Sequence, residues 1–414
     1  MVNVSLLPFK KQLKKVLEGL KNTMETKPQR LNKFVCANCI NPKSLKKLFT
    51  KGTDNGKCDY CKETKRIIPL DKLTEKICIV LEEFRKELYA NIKVNSDSEA
   101  YPIYFKDILS EKNLTSNPQL LNDVSDSIIC PSYYSLYTPE EISNGNMLST
   151  HQKLSSGYSF FEELTKKEMR FFFMENDDCY LCSYTCKNFL KEISKHIKTK
   201  LVVELPKGTK LYRARVDKSF HTKLGELCSP PSEKAISNRM SPTGISMFYC
   251  SEDQETAISE TTYESDKTPK ISIAEFILKE NLTIIDLTNL PSEKEDFFSL
   301  EKNEINFLKD FVKNITSPIE KDGKEHIEYI PSQIVTEYFR YILKTKENKK
   351  INGIAYPSSK NKKKCYVLFY SHEDFKKEQI PFEGILLHQP VSKLKGFLPK
   401  PEKAVSLEDM TNHL

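Results

Sequence analysis

Two pairs of cysteines constrain this chain more than any other feature. Cys36-Ala-Asn-Cys39 is followed, after eighteen residues, by Cys58-Asp-Tyr-Cys61. Two residues between paired cysteines let both thiolates reach one ion, and a second such pair completes a tetrahedral set. Gly52 and Gly56 allow the intervening loop to turn. Four thiolates leave no coordination position for water. The expected metal is therefore a structural zinc in a module over 34–66, contributing on the order of 10 kcal/mol to folding. The same spacing would also serve four free buried thiols, a nucleic-acid-reading ribbon or a knob that docks a partner. Cys179, Cys182 and Cys186 form a second group with His196 as the nearest imidazole. Three thiolates suit an incidental or structural set better than a second zinc.

Twelve cysteines in 414 residues are too sparse for a small secreted disulfide scaffold. No apolar run approaches a membrane span and the N-terminus lacks a signal-peptide core, so a cytoplasmic protein without a membrane partner is expected. The length suits two or three domains with cores of their own. The net charge of +7 is spread over lysine-rich helices and reads as a solvated surface. No basic stripe is interleaved with aromatics, which argues against nucleic acid as a partner.

Helical periodicity dominates the first half of the chain. Residues 9–25 place Leu13, Val16, Leu17, Leu20 and Met24 on one face. Residues 72–93 predict a long helix burying Leu73, Ile77, Val80, Leu81, Phe84 and Leu88. A polar stretch over 94–150 follows, with short helices such as one from Asn117 to Ser127. Another helix should run from Leu154 through Phe161 and Leu164 towards Phe171 and Met174, and a further one over 184–199. Near residue 200 the pattern changes.

Leu201, Val203, Leu205 and Leu211 alternate as strand around a turn at Pro206 to Gly208. Ile245 to Tyr249 predicts a second strand, and Ser251 with Gln254 predicts a capping box opening a helix with Glu260 on its third turn. Strands over Lys270–Leu278 and Leu282–Leu287, a helix over 297–312, a helix over 326–340 and a strand over Cys365–Tyr370 complete the reading. Arginines, a tyrosine at a strand end and a carboxylate on the next helix suit a pocket for a dinucleotide or phosphosugar. Guanidinium forks grip phosphate, an aromatic face stacks on a ring, and a carboxylate steadies a developing cation.

Those residues occur in an order that resembles the RES domain family. The motif runs through Arg213, Arg239-Met-Ser-Pro-Thr-Gly244, Tyr249, Glu260 and a late serine element, Asn352-Gly-Ile-Ala-Tyr-Pro-Ser-Ser359. Pro331-Ser-Gln333 resembles the segment that precedes the last strands in that family. A zinc module followed by helices ahead of such a domain resembles regions that join a HEPN-associated domain to a RES domain. The Arg-x4-6-His motif of HEPN ribonucleases is absent from residues 1–200; Arg215 to His221 alone has that spacing.

The resemblance implies an α+β protein. A helical, HEPN-associated-like region spans 1–199. A mixed or antiparallel sheet like that of ADP-ribosyltransferases spans 200–375, and a partly ordered tail spans 376–414. It implies NAD as substrate and cleavage of the bond between nicotinamide and ribose, with phosphate or water as acceptor, in a toxin or defence effector. Glu260 would stabilise the ribosyl cation, Arg213 or Arg215 would bind pyrophosphate or an attacking phosphate, and Arg239 a further phosphate oxygen. Tyr249 would stack on the nicotinamide end, and Ser358 or Ser359 would hydrogen-bond ribose or phosphate, with Ser332 a third choice. The family's aromatic after the first arginine is replaced here by Ala214. An inhibitor or antitoxin protein and a homodimer remain open as partners. Transfer of ADP-ribose to a macromolecule, or a zinc-dependent binding module without activity, are the rival readings.

Overall fold

The structure, a computed structural model, describes residues 31–50, 54–91, 105–128, 148–175, 185–262, 270–291, 296–317, 319 and 323–388. The expected helix over 9–25 and the pair Cys179 and Cys182 lie outside the described residues, as does the tail beyond 388. The fold is α+β, and the chain divides into two compact units. One comprises 1–150 and 293–303, the other 151–292 and 304–414. Among the described residues no helix is long and apolar enough to cross a membrane.

The first unit begins with β1 (Phe34–Cys36), α1 (Lys43–Lys46), β2 (Asn55–Lys57) and β3 (Thr64–Pro69). β3 lies between β1 and β2 and is antiparallel to both, pairing Cys36 with Ile67 and Asn55 with Arg66. α2 (Leu70–Asn91) leaves β3 directly and buries Leu70, Leu73, Ile77, Val80 and Leu81, the stripe that the periodicity predicts. α3 (Phe105–Glu111) and α4 (Pro118–Ser127) close the core. Asn117 caps α4 by accepting from the Leu120 amide, and Pro118 supplies a fixed φ where no amide proton is needed. Phe298 from the short return segment is buried in the same cluster.

The second unit holds an eight-stranded sheet between helices. Its first helices are α5 (Thr150–Lys167) and α6 (Cys186–Lys200). Phe161, Phe189 and Ile193 from these helices share one apolar cluster with Ile285, Ile354 and Val367 of the sheet. The compact unit therefore starts near 151, where a border at 200 was expected. α5 ends at Lys167, short of the expected Phe171–Met174; Phe171 is 88% exposed.

The strands are β4 (Val202–Leu205), β5 (Lys210–Asp217), β6 (Phe248–Ser251), β7 (Lys270–Leu278), β8 (Leu282–Asp286), β9 (Gly353–Pro357), β10 (Lys364–Leu368) and β11 (Phe382–His388). Their order is β11-β7-β5-β6-β10-β9-β8-β4, and every pair is antiparallel except β8 with β9. β5 and β6 touch through one residue pair, Tyr212 with Ser251, and then part. A Cβ at Gly353 would sit 2.6 Å from the Val367 carbonyl oxygen, so only glycine permits that approach of β9 to β10. The expected tail from 376 contributes β11, whose Phe382 stacks on Phe248 at 5.1 Å.

Five helices remain. They are α7 (Gln254–Thr261), α8 (Glu301–Thr316), α9 (Glu325–Glu328) with α10 (Ile330–Tyr341) beyond Tyr329, and α11 (His372–Lys376) lies before β11. The single helix expected over 326–340 is thus two, because Pro331 cannot donate an amide at the start of α10. The capping box expected at Ser251 is also replaced. Ser251 belongs to β6, paired with Cys365, and Asp253 caps α7 by accepting from the Thr256 amide. Glu260 consequently falls on the second and last turn of α7.

Candidate active site and metal centre

Glu260 stands at the C-terminal end of α7, half-buried. Ser358, the first residue after β9, is fully buried and donates its hydroxyl proton to Glu260 Oε1. The same Ser358 oxygen accepts from the amides of Lys360 at 3.1 Å and Asn361 at 3.4 Å. The turn is closed by Lys362 bonding back to the Ser358 carbonyl, and Asn361 Nδ2 ties it to Thr256 of α7. One residue on, Ser359 is exposed. The serine that meets Glu260 is Ser358.

Two further groups, Tyr356 and Arg239, feel the charge of Glu260. Burial pushes the phenols of Tyr356 and Tyr249 upward, with the Glu260 charge adding to the rise at Tyr356, so both stay neutral. Tyr249 exchanges a hydrogen bond with Ser241 at 2.9 Å. Burial pulls the Arg239 guanidinium down while Tyr329, Tyr356 and Glu260 oppose that fall. Arg239 donates to the carbonyls of Ile315 and Ser317 at the end of α8 and lies 5.8 Å from the Tyr329 ring centre. It borders a cavity of about 80 Å³ shared with Glu162, Lys166 and Ser332.

The loop carrying Arg239 is held from α10. Gln333 donates to Ser237, to the Asn238 carbonyl at 2.8 Å and to the Ser241 carbonyl, while Ser332 donates to the Arg239 carbonyl at 2.6 Å. Ser332 therefore positions a loop. Neither Gln333 nor Tyr356 stands out in sequence as a site residue, although both sit inside the motifs quoted for them.

Arg213 and Arg215 are not in contact with Glu260. Residues alternate along β5, and Leu211 packs in one cluster whereas Tyr212 and Ala214 pack in another with Ala257 and Ile258 of α7. Arg213 shares the Leu211 face, 5.2 Å from the ring of Phe248. Its guanidinium donates to the Tyr249 carbonyl at 2.9 Å, where β5 and β6 part. Arg215 donates to the Cys228 carbonyl. Burial, with Arg215 alongside, pushes Arg213 down to about 10, so it stays charged at neutral pH. Arg215 and His221 have separate partners, since His221 faces Asp217 and Glu226.

The cysteine pairs do converge. The sulfur atoms of Cys36, Cys39, Cys58 and Cys61 all lie within 4.8 Å of one another, with separations of 3.8 Å from Cys36 to Cys39, 3.6 Å from Cys36 to Cys61 and 3.8 Å from Cys39 to Cys58. Sulfurs about 2.3 Å from a tetrahedral ion would stand about 3.8 Å apart, so the thiols fit such a group. Lys62, with φ at 64°, turns the second knuckle and bonds to the Cys58 carbonyl. Burial raises the Cys58 thiol, yet the amides of Cys61, Tyr60 and Cys36 outweigh it and bring it to about 7. The module is anchored in its unit: Tyr60 and Lys33 both bond Asp123 of α4, and Thr115 donates to the Cys39 carbonyl.

Two family models match this chain. Residues 210–391 match the RES domain, and residues 51–179 match HEPN/RES N-terminal domain 1. The chain thus joins a HEPN/RES N-terminal domain to a RES domain, a family associated with NAD-linked toxin and effector systems. The N-terminal match includes Cys58 and Cys61 and begins after Cys36 and Cys39. A comparison with curated proteins finds no match.

Proposed function

We propose that this chain is an NAD-degrading enzyme that breaks the N-glycosidic bond between nicotinamide and ribose and passes ADP-ribose to phosphate or water. The observation that carries this reading is Glu260, half-buried, held by Ser358 and facing Arg239 and Tyr356. As the bond from the anomeric carbon to nicotinamide lengthens, its electron pair leaves with the ring nitrogen. Positive charge then spreads over the anomeric carbon and ring oxygen. A fixed carboxylate in a low-dielectric site stabilises that charge without having to reorganise. The acceptor oxygen closes a new bond to the same carbon, and attacking water releases a proton.

Ser358 acts here as a positioning residue. Its one proton goes to Glu260 and its lone pairs receive two backbone amides, which fixes the carboxylate. No other hydrogen bond to that carboxylate is found among the described residues, so its second oxygen can meet a ribose hydroxyl or the developing cation. Arg213 and Arg215 would bind phosphate groups from the parting of β5 and β6, and Arg239 from its loop. Tyr249 would present the edge of an aromatic wall.

The four thiols are proposed to hold zinc. Sulfur-only donors select a soft ion, and a closed tetrahedral set supplies folding energy and no catalysis. By the family resemblance the protein acts as a toxin or defence effector, with the N-terminal region as the point of control. The deciding experiment is NAD consumption by the full-length protein, with and without phosphate, beside Glu260→Gln. Turnover that disappears in the variant supports the reading, and ADP-ribose-1″-phosphate against ADP-ribose identifies the acceptor. ADP-ribose attached to a macromolecule would replace it with the transferase reading. Intact NAD after incubation with a folded, zinc-loaded protein would overturn it.

A further inference from the structure

A second pocket lies at the far end of β9 and β10 from Ser358. The register places Pro357 opposite Lys364 and Gly353 opposite Leu368, so residues after Leu368 and before Gly353 are a full strand length from the serine turn. Five residues of strand span roughly 17 Å. The pocket there has a volume of about 260 Å³ and is walled by Arg340, Tyr341, Lys344, Lys350, Phe369 and Tyr370.

Its charge is one-sided. Lys344 and Lys350 are cross-strand bridge partners, which brings two ammonium stems together on one side of a small hairpin. Like charges placed directly opposite each other destabilise such a pair. The hairpin is well made nonetheless: Thr345 bonds the Lys349 carbonyl and its hydroxyl accepts the amides of Glu347 and Lys349. Glu347, its single acid, is held low by its own and Thr345's hydrogen bonds and by Lys349 and Lys346, away from the pocket wall. Among the described residues Arg340, Lys344 and Lys350 have no ion-pair partner. Arg340 in the last turn of α10 is accounted for by the helix dipole. Lys350 is not.

Rings complete the wall. Arg340 lies 5.0 Å from the Tyr341 ring centre and 5.8 Å from that of Phe369, so its flat face is covered and its N–H edge remains for an anion. Tyr341 is 63% exposed, so much of its ring is open to solvent. Cations without counter-charge beside an exposed aromatic face suit a ligand with phosphate at one end and a planar base at the other. The volume lies just under the usual range for small-molecule sites.

We propose that this pocket binds a nucleoside diphosphate or monophosphate, with phosphate on Lys344, Lys350 and Arg340 and the base against Tyr341. The site is separate from the Glu260 cluster and does not depend on the proposed reaction. It is tested by calorimetric titration of the full-length protein with ADP, alongside adenosine and inorganic phosphate. Lys344→Glu with Lys350→Glu should weaken ADP at least about tenfold, which is about 1.4 kcal/mol. Both side chains are exposed, so the melting temperature should not move. Tyr341→Ala should weaken ADP and leave phosphate unchanged, and Arg239→Ala should leave ADP binding intact. ADP that binds equally well to the charge-reversed protein would overturn the proposal. So would binding lost only in Arg239→Ala, phosphate alone matching ADP, or no binding at millimolar ADP.

Discussion

The thiol cluster and the Glu260 cluster are built on opposite plans. Four copies of one donor meet in the first, drawn from two knuckles that each span four residues, and the shape they make is that of a tetrahedral ion. In the second, unlike groups from α7, the turn after β9 and the loop at Arg239 are each bonded to protein before any substrate is considered. The contrast separates two ways of holding a site. One has the shape to close around an ion, the other is closed by its own hydrogen bonds.

The largest expected effect tests the first plan. Stripping the metal with a chelator, or Cys58→Ala, should melt the N-terminal unit, with up to about 10 kcal/mol at stake. The transition of the second unit, whose core is a different set of residues, should stay in place. Circular dichroism melts with metal content by mass spectrometry would read this, and an unchanged N-terminal transition after full metal loss would sink the idea. Next in size, Glu260→Gln should lower NAD turnover by about 10²–10³-fold while leaving the melting temperature nearly constant. Collapse of the fold instead would make Glu260 a structural residue.

The paired serines sharpen the second plan. Ser358→Ala strands two amides and a carboxylate oxygen and should cost about 1–3 kcal/mol, with a lower kcat. Ser359→Ala, at an exposed position, should change stability by no more than about 0.5 kcal/mol. Equal effects at both positions would remove Ser358 from its positioning role.

The smallest effect is in acid. Burial raises Asp286, but Lys364 and Thr288 outweigh it and hold the carboxyl below its ordinary range. In the other unit burial likewise raises Glu83, which the Thr150 amide and Lys86 bring down. For each, the native state binds a proton less readily than the unfolded chain. Their stabilisation is complete above about pH 4–4.5 and is lost as pH falls through the lowered native values. Urea unfolding from pH 6 to 3 should show that loss, and Asp286→Asn should flatten the slope for the second unit alone.

Much of this was legible where the chemistry is local. The cysteine spacing, the short helix near Asn117 to Ser127 and the Leu73, Ile77 and Val80 stripe each follow from residues within a few positions of one another. Ser251 has the local sequence of a cap for α7, but pairing with Cys365, over a hundred residues away, draws it into β6 and leaves the cap to Asp253. Gln333 and Tyr356 act through partners just as remote. The separation of Arg213 from Glu260 had a signal in the alternation of β5, since Leu211 and Arg213 must share a face. Which face meets α7 is decided by packing, and no local pattern carries that.

β11 has a practical consequence. It lies at the edge of the sheet, and it covers β7 from Leu278 to Ser272. A shortened chain ending at 375 would lay bare a row of unsatisfied β7 amides and carbonyls and leave Phe248 and Phe276 without the ring of Phe382. Such a bare edge recruits strands from other molecules. A fragment cut there would aggregate, and its failure would say nothing about the chemistry of Glu260.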